Sequence, residues 1–137
     1  MSKGERQTFV KNERLCKIKL ITEIFENGYN FHSQGFRVVW IFADGEMSYP
    51  AQVAFSIPRK NFRRAVTRNL IRRRIKEAYR KNKQTLYKFL SEQNVKIAFV
   101  LLYKANSIPD YITSEGYVKE ALEKLCNNIG QVLGSKC

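Results

Sequence analysis

One stretch of the sequence concentrates side chains that bind anions. Residues 59–83 contain twelve of the 25 lysines and arginines and a single acid, Glu77. This window has a formal charge of +11, whereas the other 112 residues together carry +2. Eight of the twelve bases are arginines, whose planar guanidinium groups bind phosphate oxygens in pairs and stack on bases, whereas lysine acts as a point charge. The window therefore predicts a nucleic-acid partner rather than a membrane surface.

The spacing of these bases indicates a helix that carries them on its surface. Bases recur every four residues at Lys60, Arg64, Arg68, Arg72, Lys76 and Arg80. Like charges four apart repel each other by about 0.2–0.5 kcal/mol per pair in isolated helices, a cost that an anionic partner would offset. Asn69 adds an amide that can donate to and accept from a base edge or a sugar hydroxyl. The predicted RNA-binding residues are Arg59, Lys60, Arg63, Arg64, Arg68, Asn69, Arg72, Arg73, Lys76 and Arg80.

The remaining residue types do not form the pattern of a protein nuclease. A metal-dependent nuclease needs grouped carboxylates to bind hard cations, and the 12 acids are scattered along this sequence. His32 is the only histidine, which excludes a two-histidine mechanism and favours a structural or incidental role for this residue. Cys16, Cys126 and Cys137 are odd in number and form no CxxC pair, which argues against a disulfide framework or a zinc site. We expect no catalytic residue and no metal held by protein side chains.

Length and composition limit the organisation of the chain. With 137 residues, 44% of them hydrophobic, it is expected to form one domain. We predict a flexible segment at 1–11, a single RNA-binding α/β domain at 12–130 and a mobile tail at 131–137. Residues 1–15 lack the apolar core of a secretion signal, and no run approaches the ~18 apolar residues of a membrane span. The expected location is therefore the cytoplasm.

Hydrophobic periodicity divides the domain into six elements. The predicted elements are a helix at about 12–27, strands at 36–42 and 52–57, a basic helix at 63–83, a strand at 95–103 and a final helix from Ser114 to Gly130. The first two strands are interpreted as a hairpin across 43–51. Residues 85–90 either extend the basic helix, whose apolar stripe is Ile71, Ile75 and Ala78, or form a further turn.

These elements predict the fold class. The strand at 95–103 is apolar almost throughout, which is typical of a central strand covered on both faces. The order α-β-β-α-β-α, with its βαβ unit, indicates an α/β fold arranged as a two-layer α-β sandwich.

The basic helix also carries a specific resemblance. The sequence AVTRNLIRRRIKEAYR, from Ala65 to Arg80, resembles the signature helix of the bacterial ribonuclease P protein component, A-V-x-R-N-R-x-K-R-x-x-R-E-x-x-R. The segment 58–64 is similar to the basic lead-in of some members, and the likeness spans roughly residues 12–127. Three positions depart from the pattern. Leu70 replaces the last Arg of the Arg-Asn-Arg triplet, with Arg73 and Arg74 as candidate replacements; Lys76 lacks the guanidinium fork; Ile21 stands where Phe is frequent.

The resemblance implies the protein subunit of a ribonucleoprotein enzyme. In this family the catalytic RNA subunit removes the 5′ leader of precursor tRNA with Mg²⁺ ions that the RNA holds. The implied partners are this RNA and precursor tRNA, with no membrane and no required protein partner. The signature helix and the adjoining loop bind the RNA subunit, and a cleft between the first helix and the sheet binds the single-stranded leader. The resemblance also implies a left-handed βαβ crossover, against the general rule.

We assign the leader cleft to the first helix and one strand face. The candidates are Arg14, Phe25, Arg37 and Val39, with Ile41 on the same strand face. Strand alternation places Phe36, Val38, Trp40 and Phe42 on the opposite face, towards the core.

Two other functional classes share parts of this pattern. A ribosomal or ribosome-assembly protein that binds RNA without a catalytic role would have the same basic helix and sheet. A DNA-binding protein is less favoured, because the basic helix lies between two strands and does not follow a helix-turn-helix pattern.

Overall fold

The computed structural model describes residues 18–43 and 49–135. Its elements are α1 (Ile18–Asn27), β1 (Tyr29–His32), β2 (Phe36–Ala43), β3 (Ala51–Ser56), α2 (Ala65–Gln93), β4 (Lys96–Tyr103) and α3 (Tyr111–Ser135). The predicted α/β class is confirmed, with one strand more than expected. The predicted flexible segment at 1–11 and the first residues of the predicted helix at 12–17 lie outside the described residues.

The four strands form one mixed sheet in the order β1-β2-β4-β3. β4 pairs with β2 antiparallel and with β3 parallel, so the predicted hairpin of β2 and β3 across 43–51 is wrong. The reason is the composition of β4, in which Ile97 to Leu101 are at most 2% exposed. A strand that is apolar on both faces takes a central position, and here it separates β2 from β3. The unit β3-α2-β4 is the predicted βαβ unit; its left-handed sense stays a prediction.

The additional strand β1 is a short edge strand. It pairs antiparallel with β2, from Tyr29 opposite Trp40 to His32 opposite Arg37. Four residues that include Asn30 and His32 give a weak strand pattern, so the sequence predicts no strand there. The histidine lies in a strand instead, at the edge of the sheet.

The two faces of the sheet have separate cores. One face packs against α2 and α3 and buries Phe36, Val38 and Trp40, as the alternation predicted. The other face packs against α1, where Ile24 meets Val39, Ala98 and Val100. The sheet and the α2-α3 pair are the two main layers, and the ten-residue α1 covers only part of the opposite face.

At the end of α1 the backbone of neighbouring segments comes so close that the position requires a glycine. The Gly28 N–H donates to the Ile24 carbonyl at 2.8 Å. A Cβ atom at this position would overlap the carbonyl oxygens of both Ile24 and Trp40. Gly28 therefore allows the chain to pass from α1 directly into β1.

The long helices end later than predicted. α2 continues to Gln93, so residues 85–90 extend the basic helix, which was one of the two alternatives. Asn94 then adopts the left-handed conformation (φ 56°, ψ 44°) and donates its N–H to carbonyls of the last turn. α3 begins one turn before the predicted cap Ser114, since the Asp110 carboxylate accepts the Thr113 N–H at 2.7 Å. This hydrogen bond lowers the pKa of Asp110. The helix also passes Gly130 without ending, so residues 131–135 of the predicted mobile tail are helical.

Candidate nucleic-acid interface

The signature helix α2 presents a basic surface because its opposite side is buried. The predicted apolar stripe Ile71, Ile75 and Ala78 is confirmed, at 0–1% exposure. Val66 is 74% exposed, and Asn69 and Arg73 are exposed beside it. Residues four apart advance by about 400°, so a row spaced by four drifts by about 40° per step around the helix. The predicted row of bases is therefore not one straight face.

Arg68 connects the helix to the lead-in, residues 58–64. Its Nη1 atom donates to the carbonyl oxygens of Phe62 and Arg63, both at 2.9 Å. Phe62 is only 7% exposed, and its ring lies 6.1 Å from that of Tyr103. Burial raises the pKa of Tyr103 to about 12, and its hydroxyl donates to Ser107 at 2.8 Å. The half-buried Arg68 thus fixes the lead-in as well as adding charge.

The lead-in holds four of the predicted bases at the surface. Arg59, Lys60, Arg63 and Arg64 are all exposed. Arg64 is the N-cap of α2 and makes no side-chain capping hydrogen bond, and the first turn of α2 contains no acid. The cations therefore lie around a helix N-terminus, where the backbone dipole also favours anions.

Several bases of the window have partners within the chain. Arg74 donates to the Pro109 carbonyl at 2.6 Å, so this side chain ties α2 to the segment before α3 and is not the free replacement for Leu70 that the sequence suggested. Arg80 pairs with Glu77, with N–O distances of 2.7 and 2.5 Å. Lys83 is 2% exposed and its charge is not at the surface.

The remaining bases of α2 have mixed exposure. Arg72 is half-buried and donates to the Asn69 amide oxygen at 3.0 Å. Lys76 is half-buried as well, whereas Arg73 is exposed. Arg73 is therefore the base of α2 best placed to meet a phosphate without losing a contact inside the chain.

The predicted cleft lies between α1 and the sheet. Phe25 on α1 is 45% exposed, next to the fully buried Ile24. Val39 is 2% exposed and packs beneath α1, so it forms the support of this face rather than an open wall. Arg37 and Ile41 are half-buried on the same face. Arg14 lies outside the described residues.

Two features are absent from the part of the chain that the structure describes. Within residues 18–43 and 49–135, no three His, Cys, Asp or Glu side chains come together as a possible metal site. In the same ranges, no helix is long and apolar enough to cross a membrane.

The contacts that sequence reasoning missed are those that hold the interface in place. Arg68 joins α2 to the lead-in, Arg74 joins α2 to Pro109, and Phe62 packs the lead-in on Tyr103. The apolar character of Phe62 within a basic segment was the one signal in the sequence, since an aromatic between bases must either pack or bind.

Known proteins resemble this chain in sequence and in fold. The sequence model of the Ribonuclease P family matches residues 9–129. The Ribonuclease P protein component of Porphyromonas gingivalis is 30% identical over 119 residues, which cover 87% of this chain and 87% of the relative. That of Chlorobium phaeobacteroides is 28% identical over 129 residues, covering 87% and 86%.

Solved structures show the same fold. The RNase P protein from Thermotoga maritima superposes with a TM-score of 0.64 at 20% identity, over 82% of this chain and 96% of the other. The Staphylococcus aureus RNase P protein also gives 0.64, at 16% identity, over 82% and 94%. With the family match over most of the chain and the basic helix α2 in place, the chain belongs to the ribonuclease P protein component family.

Proposed function

We propose that this chain acts as the protein subunit of ribonuclease P and promotes the 5′ maturation of tRNA. The observation that carries the proposal is the basic surface that the lead-in and α2 form together, which includes the family's signature sequence. In this proposal the lead-in and α2 bind the catalytic RNA subunit, and the face between α1 and the sheet binds the 5′ leader of precursor tRNA.

The contribution of the protein is electrostatic. Its exposed bases neutralise phosphates, stabilise the folded RNA and hold the substrate close to it. Arg63 and Arg64 are positioned before binding, because Arg68 and Phe62 fix the lead-in against the core. A surface that is ordered in advance loses less conformational entropy on binding.

We assign the bond-breaking chemistry and the Mg²⁺ ions to the RNA subunit, as the family resemblance implies. Magnesium supplies charge stabilisation at the reacting phosphate and prefers carboxylate and phosphate oxygens. Four of the described carboxylates have partners within the chain: Glu77 pairs with Arg80, Asp110 caps α3, and Glu115 and Glu120 accept hydrogen bonds from Asn82 and Gln34. Among the described residues no carboxylates group into a metal site, which supports assigning the ions to the RNA. We also propose that the complex is cytoplasmic.

Reconstitution tests the proposal. The purified protein is added to the ribonuclease P RNA of its own organism, and cleavage of precursor tRNA is followed over a range of Mg²⁺ concentrations. We expect the protein to lower the Mg²⁺ concentration that the RNA requires, and to cleave nothing alone. Cleavage by the protein without RNA would refute the division of labour, and an unchanged Mg²⁺ requirement would refute the subunit function.

Two further experiments, a pair of matched variants and a co-purification, distinguish the proposed function from its alternatives. Arg73→Gln removes a base from the exposed surface of α2, whereas Lys119→Gln removes an exposed base from α3. We expect only Arg73→Gln to raise the required Mg²⁺ concentration. Co-purification of the protein with ribosomal subunits, and not with one RNA of a few hundred nucleotides, would favour the ribosomal alternative.

A further inference from the structure

The only histidine of the chain lies beside Arg37, a candidate of the leader cleft, and near two lysines that the proposed function leaves unused. His32 is exposed at the end of the edge strand β1, opposite Arg37 of β2. The Lys104 Nζ atom lies 3.4 Å from His32 Nδ1, and the Lys124 Nζ atom donates to the His32 carbonyl at 3.4 Å. These four residues, from β1, β2, the end of β4 and α3, are called the β1–β2 corner below.

The corner has an excess of positive charge. The Glu120 carboxylate lies close to the corner, since its Oε1 accepts the Gln34 N–H at 3.1 Å. Among the described residues, no carboxylate forms an ion pair with Arg37, Lys104 or Lys124. Three bases from separate elements therefore border His32, and none of them has an ion-pair partner among the described residues.

The contact between Lys104 and His32 constrains the imidazole. An ammonium group has donors only, so a hydrogen bond between Lys104 Nζ and His32 Nδ1 requires Nδ1 to accept, which places the ring proton on Nε2. In that bond the imidazole is neutral. Protonation at Nδ1 would bring two cations together unless an anion joined them. A phosphate oxygen between the two groups would accept from both and remove this repulsion.

The corner is also connected to the lead-in across the sheet. The strand registers place His32, Arg37, Leu102 and Ser56 in one row on the α1 side. Three strand spacings make this row about 14 Å long. Beyond Ser56 the chain enters the lead-in, so both basic groups lie at the same end of the sheet. A nucleic-acid strand that crosses the α1 side from the lead-in therefore reaches the corner.

We propose that the β1–β2 corner binds a phosphate of a single-stranded RNA segment and takes up one proton at His32 when it does so. The proton comes from solvent and adds to Nδ1, which changes from an acceptor to a donor towards the phosphate. The Lys104 ammonium then donates to a phosphate oxygen instead of to the imidazole. This inference rests on the proposed RNA-binding function and adds a site and a pH dependence to it.

The expected effect follows from linkage. An ordinary histidine titrates near pH 6.5, whereas lysine, arginine and phosphodiesters keep their charges between pH 5.5 and 7.5. If bound RNA raises the titration midpoint of His32 by about one pH unit, RNA binds up to about tenfold more tightly at a pH below the midpoint of the free protein than at a pH well above it. Affinity should therefore increase as the pH falls from 7.5 to 5.5 at constant salt.

The test uses the full chain and a single-stranded RNA dodecamer. Because the chain has one histidine, the ¹⁵N signals of a labelled imidazole report the tautomer and titration midpoint of His32 alone. We expect the Nε2–H tautomer in the free protein and a higher midpoint with the dodecamer. Lys104→Gln should reduce that rise, whereas Lys119→Gln, on the other side of α3, should leave it unchanged.

Affinity measurements provide the second readout. Dissociation constants for the dodecamer are compared at pH 5.5 and 7.5, at one ionic strength, for the wild type and for His32→Gln. A melting curve establishes that the variant is folded. We expect the wild type to gain about threefold to tenfold more affinity than the variant. Equal pH dependence in the two proteins, or an imidazole midpoint that the dodecamer does not move, would overturn the proposal. Neither result affects the outcome of the reconstitution assay. If that assay fails while RNA still raises the titration midpoint of His32, only the proposed subunit function is overturned.

Discussion

Replacing Arg68 with alanine should damage the protein in two ways, and a neighbouring arginine separates them. Arg68 donates two charge-assisted hydrogen bonds, at 2.9 Å, to the carbonyls of Phe62 and Arg63. Arg73, five residues along the same helix, is exposed. Arg68→Ala should therefore reduce stability and RNA binding, whereas Arg73→Ala should reduce RNA binding alone.

The structure gives the size of the stability effect. Each hydrogen bond contributes about 1 kcal/mol net, so removing both should lower the free energy of unfolding by about 2 kcal/mol. With a urea slope of about 2 kcal/mol/M, the unfolding midpoint falls by about 1 M. Arg73→Ala should change the free energy of unfolding by less than about 0.5 kcal/mol, as surface substitutions usually do.

The assay combines urea unfolding with RNA binding at several salt concentrations. For Arg73→Ala, the slope of log affinity against log salt should become shallower by about 0.7–0.9, the contribution of one phosphate contact. Arg68→Ala should weaken binding by more than this charge accounts for, because the lead-in loses its anchor. Equal urea midpoints for wild type and Arg68→Ala would refute the assigned role of Arg68.

Three further predictions follow from other parts of the molecule. Phe25→Ala should weaken binding of a leader-bearing precursor by about 1–3 kcal/mol through lost base stacking, with no change for a tRNA that lacks the leader; equal losses for both would exclude Phe25 from the cleft. Gly28→Ala should lower the free energy of unfolding by about 1–3 kcal/mol, because its Cβ overlaps the carbonyls of Ile24 and Trp40; a wild-type urea midpoint would contradict this. Burial raises the pKa of Cys126 from 9.0 to about 11, so the thiol is protonated at pH 8 and should react with iodoacetamide about a hundredfold more slowly than a free thiol, as followed by peptide mass spectrometry. The linked stability is present below pH 9, where the unfolded thiol begins to ionise, and is lost as the pH rises to about 11.

The sequence alone determined the function class and most helix and strand types, because both depend on local patterns. The charge of residues 59–83 and the arginine content predict an RNA partner wherever the segment lies. The stripe of Ile71, Ile75 and Ala78 predicts a helix, and its burial settles which side of α2 remains for RNA.

The tertiary structure decided which strands pair and which bases are free. Strand order depends on competition between strands for the central position, so β4 replaced the expected hairpin and β1 was added at the edge. Arginines with the same local pattern have different environments: Arg73 is exposed, Arg68 holds the lead-in and Arg74 holds Pro109. Backbone carbonyls are present at every residue, so no sequence pattern shows which carbonyl an arginine will meet. Only the packing of distant segments brings donor and acceptor together, and the same packing places His32 between two lysines from different elements.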